Sequence, residues 1–284
     1  MSRTCPCCGQ EGPREIPFGQ AQIWVCPGCS VQWRTYDAGF VDDPVTGDEF
    51  YLSPQSIPDP ASYPPFRDFF RFLKSRFGEK KLKILDVGAG NGVFLQACLA
   101  QGHEAWGIEP YEENRRYMSD EVAARVTFAP LEEVRDWGRT YEVITFWDSL
   151  MYFPDPFAEL ERLRPWLSEA GILHLRTNNN DDLYNRLAGL AVATRRPWGK
   201  QFFWGCFGRN MFWNFSVPGM LAMIQTNHWQ LLHHQKEDTP ADRLTQSLAL
   251  KLAILGVYGV NRLLGTGKVA TYYLCPQGPP PLAQ

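Results

Sequence analysis

Cys5-Pro6-Cys7-Cys8 and Cys26-Pro27-Gly28-Cys29 set two Cys-x-x-Cys knuckles at the start of the chain, with residues 9–25 between them. That spacing reads as a four-cysteine metal site. Each knuckle aims two thiolates at one centre, and four thiolates complete the tetrahedron that Zn2+ favours. With Cys5, Cys8, Cys26 and Cys29 as ligands, no coordination position stays open for a substrate. The metal is therefore expected to be structural, supplying folding energy that a module of this size lacks. Cys7 is a spare thiol that competes with Cys8, and the Cys-Pro-x-Cys-Gly phrasing favours the Cys5/Cys8 pair. Chelation is expected to unfold this N-terminal module and leave the remainder folded.

A second chemistry follows at Asp86-Val87-Gly88-Ala89-Gly90-Asn91-Gly92, which comes after the apolar run Ile84-Leu85 and before Val93-Phe94-Leu95. Glycines between a strand and a helix let the backbone approach a ligand closely, and the helix start offers free N–H groups. A dinucleotide fingerprint would put its third glycine where Val93 stands. Asp86 is also ill placed beside a pyrophosphate and well placed beside a cationic ligand carrying an amino group. Gly107-Ile108-Glu109-Pro110 closes the next strand about 20 residues on, where an acid accepts ribose hydroxyls.

The elements that must hold these residues alternate. Gln22–Val25 and Val31–Trp33 read as short strands of a ribbon over residues 1–35. Residues 36–62, rich in Pro, Asp, Gly and Ser, read as a connection, and Pro64-Pro65 opens a helix that Gly78 stops. Together, 36–78 form a linker and helical lid segment. Strands are expected at 82–87, 105–108, 126–128, 141–147, 171–175, 229–233 and 270–274, with helices at 93–100, 112–118, 157–167 and 217–225. This rhythm predicts an α/β domain over 79–278: a Rossmann-like, doubly wound, mostly parallel sheet, with room for an antiparallel last strand, preceded by the small ribbon.

Composition narrows the partners. The net charge is −3 and no long basic run occurs, so the electrostatic footprint of nucleic-acid binding is missing. A small molecule is the expected partner. The first residues lack the apolar core of a secretory signal, and Cys7, Cys98, Cys206 and Cys275 are scattered without a disulfide framework. A reducing, cytoplasmic setting is expected. Leu248–Val260 is apolar but interrupted by Lys251 and shorter than a membrane span; it reads as a packed helix rather than a membrane-surface element.

Ile84–Leu95 resembles the first motif of class I S-adenosylmethionine (SAM)-dependent methyltransferases, and Gly107–Pro110 resembles their acidic second motif. Tyr141–Leu150 running into Met151-Tyr152-Phe153-Pro154-Asp155-Pro156, Gly171–Asn179, and Phe215-Ser216-Val217-Pro218 through Trp229 are similar to segments of the ubiquinone-biosynthesis-like branch. The ribbon ahead of them is similar to that of bacterial methyltransferases of natural-product and cell-surface sugar pathways. The resemblance implies SAM as cofactor and a small-molecule methyl acceptor. It implies Asp86, Gly88, Ala89, Gly90 and Gly92 around the methionine end, Glu109 on the ribose, Leu131 against the adenine, and Trp147 in the pocket wall. The branch usually carries Glu-His where this chain has Met151-Tyr152, so its proton-handling residue does not carry over.

Acceptor-side residues are sought at the C-terminal ends of the strands. Asp148 and Tyr152 are the catalytic candidates there, with Thr177, Asn178 and Asn179 beside them and Tyr51 and Tyr63 as lid residues. Among the histidines, His174 is mid-strand and expected to be buried structure, and none is assigned to catalysis. Residues 186–215, crowded with Phe202, Phe203, Trp204, Phe207, Phe212 and Trp213 and rimmed by Arg195, Arg196, Lys200 and Arg209, read as a mobile cap insertion over the substrate. Two rival readings stand beside a methyltransferase: a nicotinamide-dependent oxidoreductase, and a binding protein whose ribbon or SAM site serves interaction alone.

Overall fold

The computed structural model describes residues 4–18, 21–35, 57, 59–135, 138–183, 185–187, 211–241 and 247–277. Tyr51 and the cap residues 188–210, with Cys206, lie outside the described residues.

The main sheet has seven strands: β4 (Lys83–Val87), β5 (Glu104–Glu109), β6 (Val126–Phe128), β7 (Tyr141–Trp147), β8 (Leu167–Asn178), β10 (Trp229–Glu237) and β11 (Val269–Pro276). Their spatial order is β10-β11-β8-β7-β4-β5-β6. The pairings β8/β7, β7/β4, β4/β5 and β5/β6 are parallel, and β11 runs antiparallel between β8 and β10. The chain reverses its direction of winding between β4 and β7, the switch point at which open α/β sheets bind ligands.

Both faces are covered because the central strands are apolar on both sides. On one face α1 (Pro64–Phe77) and α2 (Val93–Ala100) pack over Ile84, Val143 and Ile172. On the other, α4 (Pro156–Leu163) and α5 (Val217–Thr226) pack over Leu85, Ile144, Phe146 and Leu173. A short helix, α3 (Asp120–Ala123), precedes β6. Pro64 sits at the start of α1, and Gly78 ends it at φ 70° with its N–H bonded to Lys74 O. The helix buries Phe66, Phe69 and Leu73 in the domain core, so α1 is a layer of the domain and not a lid.

Other expectations shift for identifiable reasons. Within residues 112–118 a 3₁₀ helix, Glu112–Tyr117, turns the buried Asn114 inward to bond Glu109. The helix expected at 157–167 ends at Leu163, before the Pro165 turn, and Leu167 already opens β8. β8 also runs past Leu175 through Arg176 and Thr177, polar residues that are nonetheless buried.

The ribbon is not a separate bead. β1 (Arg14–Phe18), β2 (Ala21–Val25) and β3 (Gln32–Arg34) form an antiparallel sheet whose fourth strand is β9 (Trp213–Asn214). Phe212 and Trp213, expected in a cap, are buried at this seam. Val31 and Trp33 share one core with Phe215 and Met220. Polar links fix the docking: Asn180 Nδ2 donates to Ser30 O at 2.7 Å, Asn214 Nδ2 to Gln32 Oε1 at 3.0 Å, and Ser216 Oγ to Cys29 O. A Cβ added at Gly219 would come within 3.4 Å of Cys29 Sγ, so α5 starts directly against the second knuckle.

Candidate active site and four-cysteine cluster

The Sγ atoms of Cys5, Cys8, Cys26 and Cys29 all lie within 4.8 Å of one another. Cys5 Sγ is 3.7 Å from Cys29 Sγ, and Cys8 Sγ is 3.5 Å from Cys26 Sγ. A tetrahedral zinc with bonds of about 2.3 Å sets its sulfurs about 3.8 Å apart, close to these two separations, so the donor set is compatible with that ion. Cys7 is buried beside the cluster and outside the four.

The second site is a cavity of about 450 Å³ at the switch point, a size suited to a small ligand. β4 delivers Asp86 to its floor. The turn Gly88–Gly92 follows, with φ 80°, 56° and 71° at its three glycines. Two of them are required for different reasons. A Cβ on Gly88 would sit 2.5 Å from Ser149 Cβ, whereas one on Gly90 would meet nothing within 4 Å and would occupy the cavity. The turn is tied to the next strand by Gly88 N and Ala89 N, both donating to Ile108 O.

Glu109 holds the turn from the side. Its Oε2 accepts from Gly90 N at 2.7 Å, and its Oε1 accepts from Tyr111 N at 3.1 Å and Asn114 Nδ2 at 3.0 Å. A carboxylate has about four acceptor sites, so capacity remains for a ligand hydroxyl. Burial pushes the Glu109 carboxyl up, and these three donors pull it back. Asp86 is fully enclosed and receives the Thr145 hydroxyl at 2.7 Å. Desolvation, with a smaller push from Glu109, raises it to about 8 against that bond.

At the end of β7, Asp148 adopts φ 54°, a conformation rare for a residue with a side chain. It is held there by its N–H, donating to Arg176 O at 2.9 Å, and by an ion pair with Arg176 Nη1. Arg176, 1% exposed, also binds Glu237 Oε1 through Nε at 2.7 Å. One guanidinium thus fixes two carboxylates, and only Asp148 of the pair lines the cavity. Tyr152 lines the cavity while 38% exposed; desolvation against the cavity wall and the Asp148 charge raise its phenol further above an ordinary value that already makes it a hydrogen-bond donor at neutral pH. Lys268 is the one cation among the described lining residues.

A family model described as a methyltransferase domain matches residues 63–237, well over half of the chain. The chain belongs to that family. Two curated relatives match over shorter stretches, both ubiquinone biosynthesis O-methyltransferases. The one from Acinetobacter baylyi is 24% identical over 106 residues, 35% of this chain and 44% of its own length. That from Histophilus somni is 27% identical over 112 residues, 36% and 47% respectively. The match therefore spans less than half the length of these relatives. Two solved structures share the fold. The plantazolicin methyltransferase BamL, in complex with a triazolic desmethylPZN analog and SAH, has a TM-score of 0.52 at 11% identity over 81% of this chain and 90% of that one. Coclaurine N-methyltransferase, bound to N-methylheliamine and SAH, has a TM-score of 0.51 at 11% identity over 81% of each chain.

In this methyltransferase-family chain the cavity collects Asp86, Gly88, Ala89, Gly90, Glu109, Trp147, Asp148 and Tyr152 of the residues expected from sequence. Several others it does not collect. Leu131 is 2% exposed in the core beneath the sheet end, and Gly92 packs toward Val122 and Met118. Tyr63 is buried against the Phe66 ring. Thr177 is buried, and Asn179 spends its side chain on Gly267 O and Asp181 N. Asn178 does line the cavity. Sequence reasoning missed Asn114, Ser149, Thr239 and Lys268. Asn114 carried a signal, an amide one turn after the acidic strand end; Thr239 and Lys268 come from the far end of the chain and carried none. His174 is buried among Phe69, Trp147 and Tyr273 and held neutral by burial and by Arg176. No histidine is among the described lining residues.

Proposed function

We propose that this protein transfers a methyl group from SAM to a small-molecule acceptor that carries an acidic group. The observation that supports this reading is the meeting in one cavity of the glycine turn with Asp86 and Glu109, and of Asp148, Tyr152 and Lys268. Three carboxylates around an apolar cavity suit a cationic ligand, and the space over Gly90 leaves its backbone free to be approached. When bound, SAM supplies an electrophilic methyl group on a sulfonium. Glu109 accepts a ribose hydroxyl, and Asp86 faces the positive end of the ligand. Asp148, immobilised by Arg176, accepts the proton-bearing side of the acceptor's nucleophile, and Tyr152 donates to the acceptor. Phe66, Met151 and Phe153 exclude water, and Lys268 neutralises the acceptor's acidic group. Alignment in a dry pocket is the catalytic device. Cys5, Cys8, Cys26 and Cys29 hold a structural Zn2+ in the same reading.

Calorimetry with SAM and S-adenosylhomocysteine tests the reading, and binding of NAD in place of both would overturn it. Glu109→Gln keeps the shape and removes the charge from hydrogen bonds worth about 1.5–3 kcal/mol each. It is expected to weaken SAM binding at least about tenfold while the melting curve stays cooperative. Unchanged affinity in the folded variant would remove Glu109 from the site.

A pH dependence follows from Asp86. In the free protein its carboxyl, raised to about 8, carries a proton at pH 7. A cationic ligand favours the ionised form, so binding at pH 7 is expected to release a proton. Affinity then rises with pH toward 8 and levels off above it. Titration in two buffers of different ionisation enthalpy reads this release directly, and Asp86→Asn is expected to abolish it. Identical heats in both buffers for the natural chain would sink the assignment.

A further inference from the structure

Helix α6 (Leu248–Leu263) was expected from its sequence to be packed, and it is not. It touches the molecule along one stripe: Lys251, Ile254 and Tyr258 are half-buried and Asn261 alone is buried. Tyr258 Oη donates to Thr239 O at 2.6 Å, and Asn261 Nδ2 to Asp238 Oδ1 at 2.9 Å. At about 100° per residue these contacts occupy roughly a quarter of the circumference. More than half of the rest is an apolar arc carrying Leu248, Leu252, Leu255 and Leu263, which are 72%, 62%, 54% and 88% exposed.

We propose that α6 is a membrane-docking helix that seats in the surface of an anionic phospholipid bilayer. The width of the arc favours lipid over a protein: a partner helix covers a narrow seam and leaves the flanks wet, whereas acyl chains cover a broad arc. Charge points the same way. From Ser247 to Leu264 the helix and its caps hold Lys251 and Arg262 and no Asp or Glu. Lys251 and Arg262 fall side by side on the wheel at the edge of the apolar arc, where headgroup phosphates lie. No helix among the described residues is long and apolar enough to cross a membrane, so α6 lies along the surface. The helix is also wired to the cavity rim. Thr239, which takes the Tyr258 bond, lines the cavity, and so does Lys268, whose N–H shares Asp238 Oδ1 with Asn261. Docking would turn that rim toward the lipid.

Flotation of the full chain with phosphatidylcholine vesicles, and with phosphatidylcholine–phosphatidylglycerol vesicles, tests the proposal. Binding is expected to the anionic vesicles and to fall at high salt. The double variant Leu252→Glu/Leu255→Glu is expected to lose it by at least about tenfold while its circular dichroism melt and its SAM titration match the natural chain. Failure of the natural chain to bind anionic vesicles would overturn the proposal, as would equal binding by the variant. Analytical ultracentrifugation distinguishes a protein partner from lipid. A dimer abolished by the same variant, without vesicle binding, would overturn the proposal and assign the face to a second copy.

Discussion

Cys29→Ser, or removal of the proposed Zn2+ by a chelator, is expected to unfold the whole chain rather than its first 35 residues. The knuckle of Cys29 is part of the main core: Ser216 bonds its carbonyl, Asn180 bonds that of Ser30, and Gly219 at the start of α5 packs close to Val31 and the Cys29 sulfur. Strand β9, which edges the ribbon, continues through Phe212, whose N–H donates to Met151 O beside the cavity. Structural zinc sites contribute on the order of 10 kcal/mol, comparable to the total stability of a domain. A variant lacking one ligand is therefore expected to show no native transition at 37 °C and no SAM binding. Circular dichroism during a chelator titration, with calorimetry at each step, reads both. Two separate transitions, with SAM binding surviving the first, would restore the separable ribbon that the knuckle spacing alone suggests.

Arg176→Met is expected to destabilise the fold by about 3 kcal/mol, the lower end of the cost of breaking a buried ion pair from one side. The arginine is enclosed, and its loss strands Asp148 and Glu237, whose side chains are only 19% and 18% exposed. Asp148 would also lose the partner that offsets its left-handed backbone. Arg176→Lys keeps the charge but not the fork that spans two carboxylates, and an intermediate loss is expected. Urea denaturation measures all three chains. A change within about 0.5 kcal/mol for the methionine variant would show that the guanidinium does not hold these carboxylates in place.

The parts legible in the sequence are those whose signals are local. The knuckles, β4 with its glycine turn, and Glu109 at the end of β5 each announce themselves by type and spacing within about twenty-five residues, and the structure gathers the four cysteines with one another and sets Glu109 against the glycine turn. Other residues are set by distant partners. Arg176 reads as the polar end of a strand, and only Asp148 and Glu237 make it a buried hub. Trp213 reads as one more cap aromatic, and only pairing with Trp33 makes it a ribbon strand. For α6, hydropathy and length settle that a helix forms, yet neither carries information on what lies against it. Leu131 shows the same limit, since an apolar residue after a strand suits an adenine or a core equally.

The long reach of β9 also bears on the order in which the chain is built. Within this sequence the two knuckles are synthesised before the strand that completes their sheet, and their local spacing suits them to hold the proposed Zn2+ while the later segments are still being made. Their sheet partner, Asn214, follows Gln32 by 182 residues. At synthesis rates of about 5–20 residues per second, the half-made ribbon waits about ten to forty seconds for its last strand. During that wait Trp33 and Val31 have no Phe215 or Met220 to shelter them, and closing so large a loop is slow. The proposed Zn2+, bound early, would act as a timekeeper: it would preserve the knuckles through nascent growth until the distant strand arrives to bury them.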